Sequence, residues 1–120
     1  TQCHPANIGF SALAGSVAVV SPKEDRGFYV ELDWTTKDYI ASISAGVMVE
    51  YGLKTSRELP LGEVFSLPAR CDGTIAVDGE REVPFRQGEE LRFTVTRTGP
   101  YKVHVRTVVE AAAARGFFRR

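Results

Sequence analysis

The stretch that decides the fold runs Cys71-Asp72-Gly73-Thr74-Ile75-Ala76-Val77-Asp78-Gly79-Glu80-Arg81-Glu82. It places a short apolar run between two Asp-Gly pairs, and charged residues follow the second pair. Asp-Gly between strand-like flanks is the strongest short-range hairpin signal, because both central residues of a type I′ turn have positive φ. The stretch therefore predicts a strand, a tight turn at Asp78-Gly79 and a return strand from Glu80.

Apolar and polar residues alternate along other parts of the chain, as they do in half-buried strands. The clearest alternation covers residues 28–32, where Phe28, Val30 and Leu32 form the apolar face and Tyr29 and Glu31 the solvated face. The same pattern predicts strands at 91–95 and 101–105, and less regular runs predict strands at 16–21, 39–44, 47–51 and 64–67.

A helix is predicted at the end of the chain. Thr107 and Glu110 have the spacing of a capping box, four alanines follow, and Gly116 suits the left-handed position after a helix. A helix of about two turns is unstable alone. We therefore expect it to dock on the sheet, with Phe117 and Phe118 as anchors.

Together these patterns predict one mainly β domain over residues 1–120. The expected architecture is an antiparallel β-sandwich or flattened barrel of about eight to ten strands with a short C-terminal helix. A chain of 120 residues can bury its own core without disulfides. No repeat, low-complexity stretch or linker divides it.

The composition limits which binding partners and which cellular compartment we expect for the protein. Fifteen basic residues balance fifteen acidic ones, so no global field attracts nucleic acid or an anionic membrane. Cys3 and Cys71 are expected to be free thiols of a cytoplasmic protein, although a secreted domain with a Cys3–Cys71 disulfide remains an alternative. The chain begins with Thr1 rather than Met, which predicts a processed product or a fragment.

The chain lacks the common motifs of a self-contained enzyme. It has no Walker-type phosphate loop, no dinucleotide Gly-x-Gly-x-x-Gly and no Cys or His pair at metal-ligand spacing. Its two histidines, His4 and His104, are far apart in sequence and are expected at the surface. No metal site is predicted.

Two segments remain as candidates for ligand contact. The first is 7–15, where small residues such as Gly9 and Ser11 let a ligand or another backbone approach closely. Its alternative is a bend leading into the next strand. The second is the hairpin tip, where Glu80 can act as a general base only if a phosphate donor lies opposite. Its alternative is a plain turn with a solvated carboxylate.

At these segments the sequence resembles a known superfamily. Gly73-Thr74-Ile75-Ala76-Val77-Asp78-Gly79-Glu80-Arg81-Glu82 looks like part of the C-terminal β-domain of the NAD kinase and diacylglycerol kinase superfamily. The likeness is closest to the branch of ATP-NAD kinases and acetoin-catabolism protein X. Segments 7–15, 57–63 and 99–105 support it in the same order along the chain.

The resemblance implies a substrate-side half of a two-domain, kinase-like protein. In such proteins an N-terminal α/β domain carries a Gly-Gly-Asp-Gly-Thr motif, and the active site lies in the cleft between the domains. The full-length protein would transfer a phosphoryl group from ATP, with Mg²⁺, to a hydroxyl of a dinucleotide or related small molecule. The isolated chain would bind no cofactor and would be inactive.

The resemblance also assigns roles to individual residues. Glu80 matches the glutamate placed to accept the proton of the substrate hydroxyl, although NAD kinases proper usually have Gln there. Asp78 and Gly79 match residues that face the cleft. A ligand-approaching role is implied for the backbone of Asn7, Gly9 and Ser11.

A second hypothesis makes the chain a non-enzymatic β-sandwich module for binding or oligomerisation. In this case exposed strand edges and the apolar helix end at Phe117 and Phe118 would bury a homodimer interface.

Overall fold

A computed structural model describes residues 3–77 and 79–120, and the fold is mainly β, as predicted. All the strand pairs are antiparallel, and no closed barrel forms within the described residues. The elements in chain order are α1 (Phe10–Val17), β1 (Arg26–Asp33), β2 (Tyr39–Ser44), β3 (Val47–Pro60), β4 (Val64–Pro68), β5 (Gly73–Val77), β6 (Arg81–Phe85), β7 (Glu90–Thr94) and α2 (Val105–Ala114).

The first sheet is organised around the long strand β3. Its first part pairs with β2, with Tyr39 opposite Tyr51, and its second part pairs with β1, with Asp33 opposite Gly52. Ala45-Gly46 forms the turn between β2 and β3, where Gly46 has a φ of 76°. One continuous strand therefore serves as the partner of two others.

Two smaller sheets follow. Strand β4 pairs with β7, and β5 pairs with β6 to form the hairpin expected from the Asp-Gly signal. The first sheet and the β4–β7 sheet touch through aromatic rings, since the Tyr29 and Phe65 centroids are 4.7 Å apart. The guanidinium of Arg57 lies 4.2 Å from the centre of the Phe65 ring.

A second link joins the end of β7 to the start of β1. A Cβ at Gly27 would lie 2.7 Å from Cγ2 of Val95, so glycine permits this approach. Arg97 donates to the carbonyl oxygens of Pro22 and Glu24, at 3.1 and 2.9 Å, and also pairs with Asp25. The charged loop before β1 is therefore tied to a distant part of the chain.

The buried core lies between α1 and the first sheet. Leu13 and Tyr51 are the largest side chains that are fully buried, and Ala12 and Ala41 pack with them. The Tyr51 hydroxyl donates to the carbonyl oxygen of Leu13 at 2.6 Å. The helix is held to β3 by apolar packing and by this hydrogen bond.

The prediction of a strand at 16–21 was wrong. Residues 10–17 form α1, which starts after Gly9, and only Val20 retains a β contact, an isolated antiparallel bridge with Cys3. The run is apolar on both faces because its first residues belong to the packed helix α1, and Val20 pairs with Cys3. Short apolar runs do not distinguish a buried strand from a buried helix.

The prediction of a strand at 101–105 was also wrong. Its alternation is real, but within the described residues this run pairs with no strand, and Tyr101 and Val103 are exposed. With these two runs absent from the sheets, the described chain contains seven strands rather than eight to ten.

The C-terminal helix is confirmed, but its predicted start and docking were wrong. It begins at Val105, so Thr107 lies inside it; Nδ1 of His104 and Oγ1 of Thr107 are 2.8 Å apart. Glu110 accepts from Arg106 at 2.8 Å, so no capping box forms. None of the residues of α2 is buried, so it does not dock on the sheet.

The predicted C-terminal end of α2 is confirmed. Gly116 has a φ of 73°, and its amide donates to the carbonyl oxygen of Ala113 at 3.0 Å. The amide of Phe117 donates to the carbonyl oxygen of Ala112 at 3.0 Å. This pair of hydrogen bonds is a Schellman motif, in which glycine takes the left-handed position without strain.

Both cysteines are free thiols in the structure, with Cys3 buried and Cys71 exposed. The Sγ atom of Cys3 lies 3.1 Å from the carbonyl oxygen of Ala18. Neither helix in the described ranges combines the length and the apolar character required to cross a bilayer.

Candidate functional site

The β5–β6 hairpin tip leaves a carboxylate in solvent. Val77 pairs with Arg81, so the loop is 78–80, and the return strand begins one residue later than predicted. The amide of Glu80 donates to the carbonyl oxygen of Val77 at 3.3 Å, and Gly79 has a φ of 71° with open space around it. Asp78, which was predicted as a ligand-binding residue, lies outside the described residues.

Glu80 is exposed and lies within the turn. A carboxylate surrounded by water is a poor general base by itself. General-base catalysis requires a reacting hydroxyl held within hydrogen-bond distance of the carboxylate. The tip therefore presents Glu80 to a facing surface and does not form an enclosed site by itself.

The candidate segment 7–15 contains the start and most of the length of α1. Gly9 has a φ of 79° and a ψ of −153°, a conformation that is essentially restricted to glycine. Its carbonyl oxygen accepts from the amides of Ala12 and Leu13, and its own amide donates to the carbonyl oxygen of Ser42 at 3.0 Å. Nδ2 of Asn7 donates to Oγ of Ser11 at 2.8 Å.

One small residue of this segment, Gly15, serves close packing of the chain. A Cβ on Gly15 would lie 2.3 Å from the carbonyl carbon of His4, so another backbone occupies that space. Of the two expectations for this region, the approach of another backbone is the one seen at Gly15. His4 itself is exposed, as predicted.

The two candidate segments, 7–15 and the hairpin tip, lie in different parts of the fold. Gly9 and Ser11 belong to the region of α1, which packs against β2 and β1. Gly79 and Glu80 close a sheet of two strands, β5 and β6. A site that used both segments would need a further surface to bridge them.

A third feature, which the sequence did not reveal, is a cavity of about 280 Å³ where all three sheets meet. We call it the Arg70 cavity. Its walls come from β1, β4, β6, β7 and the segment before β5: Tyr29, Glu31, Leu67, Pro68, Ala69, Arg70, Cys71, Phe85 and Leu91.

One end of the Arg70 cavity is polar. The carboxylate of Glu31 accepts from Nζ of Lys54 at 2.6 Å and from the Tyr29 hydroxyl at 3.2 Å. The hydrogen bond from Lys54 is the main reason that the pKa of Glu31 lies below its ordinary value. Burial, followed by the charge of Glu31, raises the pKa of Tyr29.

Arg70 adds a positive charge to this wall. In the ranges 3–77 and 79–120 it makes no hydrogen bond or ion pair, although its charge acts on Tyr29 and Glu31. The nearby carboxylate of Asp72 already accepts from the amide of Gln87 at 2.8 Å. The guanidinium of Arg70 is therefore available to a ligand.

Phe85 forms part of the apolar wall, and its ring lies against the backbone of Gly73 on the paired strand. It pairs with Gly73, and a Cβ at Gly73 would lie 2.5 Å from Cζ of the Phe85 ring. The ring therefore covers the glycine backbone across the strands, an arrangement that stabilises glycine in sheets.

The alternation in β1 contained a partial signal for this cavity. Tyr29 and Glu31 share a face because they are two residues apart, and the sequence indicated that this face is solvated. In the structure no residue of β1 is fully exposed: the Phe65 ring packs on Tyr29, and Tyr29 and Glu31 line the Arg70 cavity. An aromatic residue on that face was the clue.

Comparison with known proteins assigns the family. The profile of the acetoin catabolism protein X C-terminal domain family matches residues 1–98. The chain belongs to this family. The match to this family ends before α2, so the hairpin, the Arg70 cavity and the α1 region all lie within the matched part of the domain.

A curated relative of the domain agrees with this assignment. Acetoin catabolism protein X of Cupriavidus necator is 31% identical over 94 residues, which cover 76% of this chain and 26% of the relative. The chain thus spans about a quarter of the length of that relative. No solved structure matches. The acetoin-catabolism branch of the expected resemblance is confirmed.

Proposed function

We propose that this acetoin catabolism protein X C-terminal domain is the substrate-side half of a two-domain, ATP-dependent kinase of the NAD kinase type. The complete cytoplasmic protein transfers a phosphoryl group from ATP to a hydroxyl of a dinucleotide or a related small molecule. An N-terminal α/β domain supplies the phosphate-binding half, and the active site lies between the two.

The observation that carries the proposal is the exposed Glu80 on the β5–β6 turn of a domain from this family. In the reaction, Glu80 accepts the proton of the substrate hydroxyl. The hydroxyl oxygen forms a bond to the γ-phosphorus while the bond to the leaving ADP oxygen breaks. Such catalysis depends on positioning and on charge stabilisation, which the domain alone lacks.

The Mg²⁺ that accompanies ATP needs oxygen ligands. In the described ranges, no three His, Cys, Asp or Glu side chains come together as a metal-binding group. We therefore assign the ligands of Mg²⁺ to the nucleotide and the N-terminal domain, and ligand contacts to Gly79 and Asp78 at the tip and to Asn7, Gly9 and Ser11 near α1.

The test uses the full-length protein with ATP, Mg²⁺ and NAD. We expect phosphorylated product from the wild type, and Glu80→Ala should lower kcat by about 100-fold or more, because it removes the proton acceptor. The matched control is Glu82→Ala, at an exposed glutamate on β6, which should change kcat little. The isolated chain should be inactive.

Two results would contradict the proposal. One is a full-length protein that phosphorylates neither NAD nor related dinucleotides and nucleosides, although it binds ATP. The other is a Glu80→Ala variant as active as the Glu82→Ala control. Activity of the isolated chain would overturn the assignment of the phosphate-binding half to another domain.

A second candidate function is self-association, and the exposed apolar surface of α2 favours it. Val108 and Val109 are about half exposed, while Phe117 and Phe118 are 78% and 63% exposed. Light scattering of the chain should show a dimer that Glu80→Ala leaves intact and that Phe117→Ser with Phe118→Ser disrupts. A monomer at all concentrations contradicts this second function and leaves the first untouched.

A further inference from the structure

We infer that the Arg70 cavity binds a small molecule in which an apolar ring carries one anionic group, a carboxylate or a phosphate. This inference goes beyond the proposed kinase function and does not rest on it. Cys71 and Phe85 lie at the base of the β5–β6 hairpin, and Glu80 lies at its tip. A strand of five residues separates the two by about 15 Å.

The size of the cavity selects a small ligand. At about 280 Å³ it is just below the usual range for drug-sized ligands, so one bicyclic ring system with a substituent is the largest body expected to fit. Phe85, Leu67 and Leu91 provide apolar wall, and the Tyr29 ring adds an aromatic face. Such a wall favours a flat, apolar ring.

The charges around the cavity favour a ligand with an anionic group. Lys54 already neutralises Glu31, and the Asp72 carboxylate is engaged by a backbone amide. Arg70 has no hydrogen-bond or ion-pair partner among the described residues, and a guanidinium binds a carboxylate or a phosphate through two parallel hydrogen bonds. The charge of Arg57 also acts on Tyr29, which adds to the positive field.

The test compares two fluorescent probes that share a ring system and differ in charge. Anilinonaphthalene sulfonate is anionic, and phenylnaphthylamine is its neutral counterpart. We expect the anionic probe to bind the chain about tenfold more tightly, the effect of one charge-assisted contact. Arg70→Gln should abolish this difference without changing the affinity of the neutral probe.

Arg115→Gln is the matched control, because Arg115 is an exposed arginine after α2 and lies outside the cavity. It should leave both affinities unchanged. In competition, naphthyl phosphate and naphthoate should displace the anionic probe, and naphthol should not. Comparing the first two shows which anion the cavity prefers.

Cys71 reports where the probe binds. It is an exposed thiol in the cavity wall, whereas Cys3 is buried, so a neutral reagent such as dithiodipyridine should modify Cys71 first. Naphthyl phosphate should slow this modification several-fold in the wild type but not in Arg70→Gln. A probe bound on the apolar surface of α2 would leave Cys71 unprotected.

The inference is overturned by equal affinities for the two probes, by a tight anionic complex in Arg70→Gln, or by full reactivity of Cys71 at saturating naphthyl phosphate. Unfolding in urea of Arg70→Gln should match the wild type, because Arg70 is exposed and makes no hydrogen bond or ion pair with the described chain. Kinase activity of the longer protein does not enter these measurements.

Discussion

At the scale of single residues, Tyr51 joins the helix to the sheet. Its hydroxyl donates to the carbonyl oxygen of Leu13 inside the core, and its ring stacks on Tyr39 with centroids 5.6 Å apart. Tyr51→Phe should lower the free energy of unfolding by about 1–2 kcal/mol, because a buried carbonyl loses its donor. Urea unfolding measures this change.

Tyr39→Phe is the matched control for that prediction. It keeps the stacked ring, and the Tyr39 hydroxyl has no hydrogen bond to any described part of the chain, so the change should be within about 0.5 kcal/mol. Equal losses in the two variants would contradict the role given to the hydroxyl of Tyr51.

Gly9 is the residue whose backbone conformation is most restrictive. Gly9→Ala has room for the new Cβ, whose nearest neighbour is the Ile43 carbonyl oxygen at 3.9 Å, but it forces alanine to a φ of 79° and a ψ of −153°. We expect a loss of about 1–3 kcal/mol in thermal or urea unfolding. Gly99→Ala, with open space and no positive φ, should have little effect.

Glu31 makes the stability depend on pH. Its pKa is lowered in the folded state, mainly by Lys54, so its contribution is present above the ordinary value of 4.5 and is lost as pH falls through the folded pKa. The difference in unfolding free energy between wild type and Glu31→Gln should therefore shrink as the pH falls below 4.5.

Lys54→Met should reduce the same pH dependence, because it removes the main cause of the lowered pKa. A difference between wild type and Glu31→Gln that stays constant or grows on acidification would contradict this account. The measurement is a series of urea titrations across the pH range.

At the scale of elements, α2 has the least packing against the rest of the described chain. It has ten residues, none of them buried, and its hydrogen bonds are formed within the helix and its C-terminal motif. Amide hydrogens of α2 should exchange at least about 100-fold faster than those of the central part of β3. Hydrogen exchange with mass spectrometry measures both segments in one experiment.

Strong protection of α2 at low protein concentration would contradict that prediction. Protection that appears only at high concentration would instead support self-association through α2. The double substitution Phe117→Ser and Phe118→Ser should then remove the protection.

Comparison of the predicted and observed elements shows which sequence signals are sufficient to predict a strand. Alternation combined with turn residues predicted each of the seven strands found, including the β5–β6 hairpin, because cross-strand pairing and burial of one face both follow from that pattern. For β3 it predicted only residues 47–51 of Val47–Pro60. The failures at 16–21 and 101–105 depended on non-local facts: the packing of α1 on β2 and β1, and the lack of a partner strand for 101–105 in the described chain. A local pattern contains neither fact.

The site was less predictable than the fold. The exposure of Glu80 follows from its place in a turn. The Arg70 cavity depends on the meeting of Tyr29, Arg70 and Phe85, which are distant in sequence, and no spacing rule brings them together. Only the position of a tyrosine on the predicted polar face of β1 hinted at it.

At the scale of the whole molecule, the chain is elongated. Its radius of gyration is 18.9 Å, and its extents are 64 × 33 × 25 Å, whereas a compact domain of this length has a radius of gyration of about 14 Å. Small-angle X-ray scattering extrapolated to zero concentration should give a value nearer to 19 Å than to 14 Å. A value near 14 Å would mean that α2 folds back on the sheets.

The double role of β3 has a consequence for how the domain tolerates changes in length. Val47–Pro60 sets the side-chain alternation for two partner strands at once. One extra residue between Tyr51 and Gly52 would turn every later side chain of the strand to the opposite face. We therefore expect insertions and deletions at turns such as Ala45-Gly46 or at a bulge such as Lys54, which has no partner residue in β1, rather than in the regularly paired part of β3.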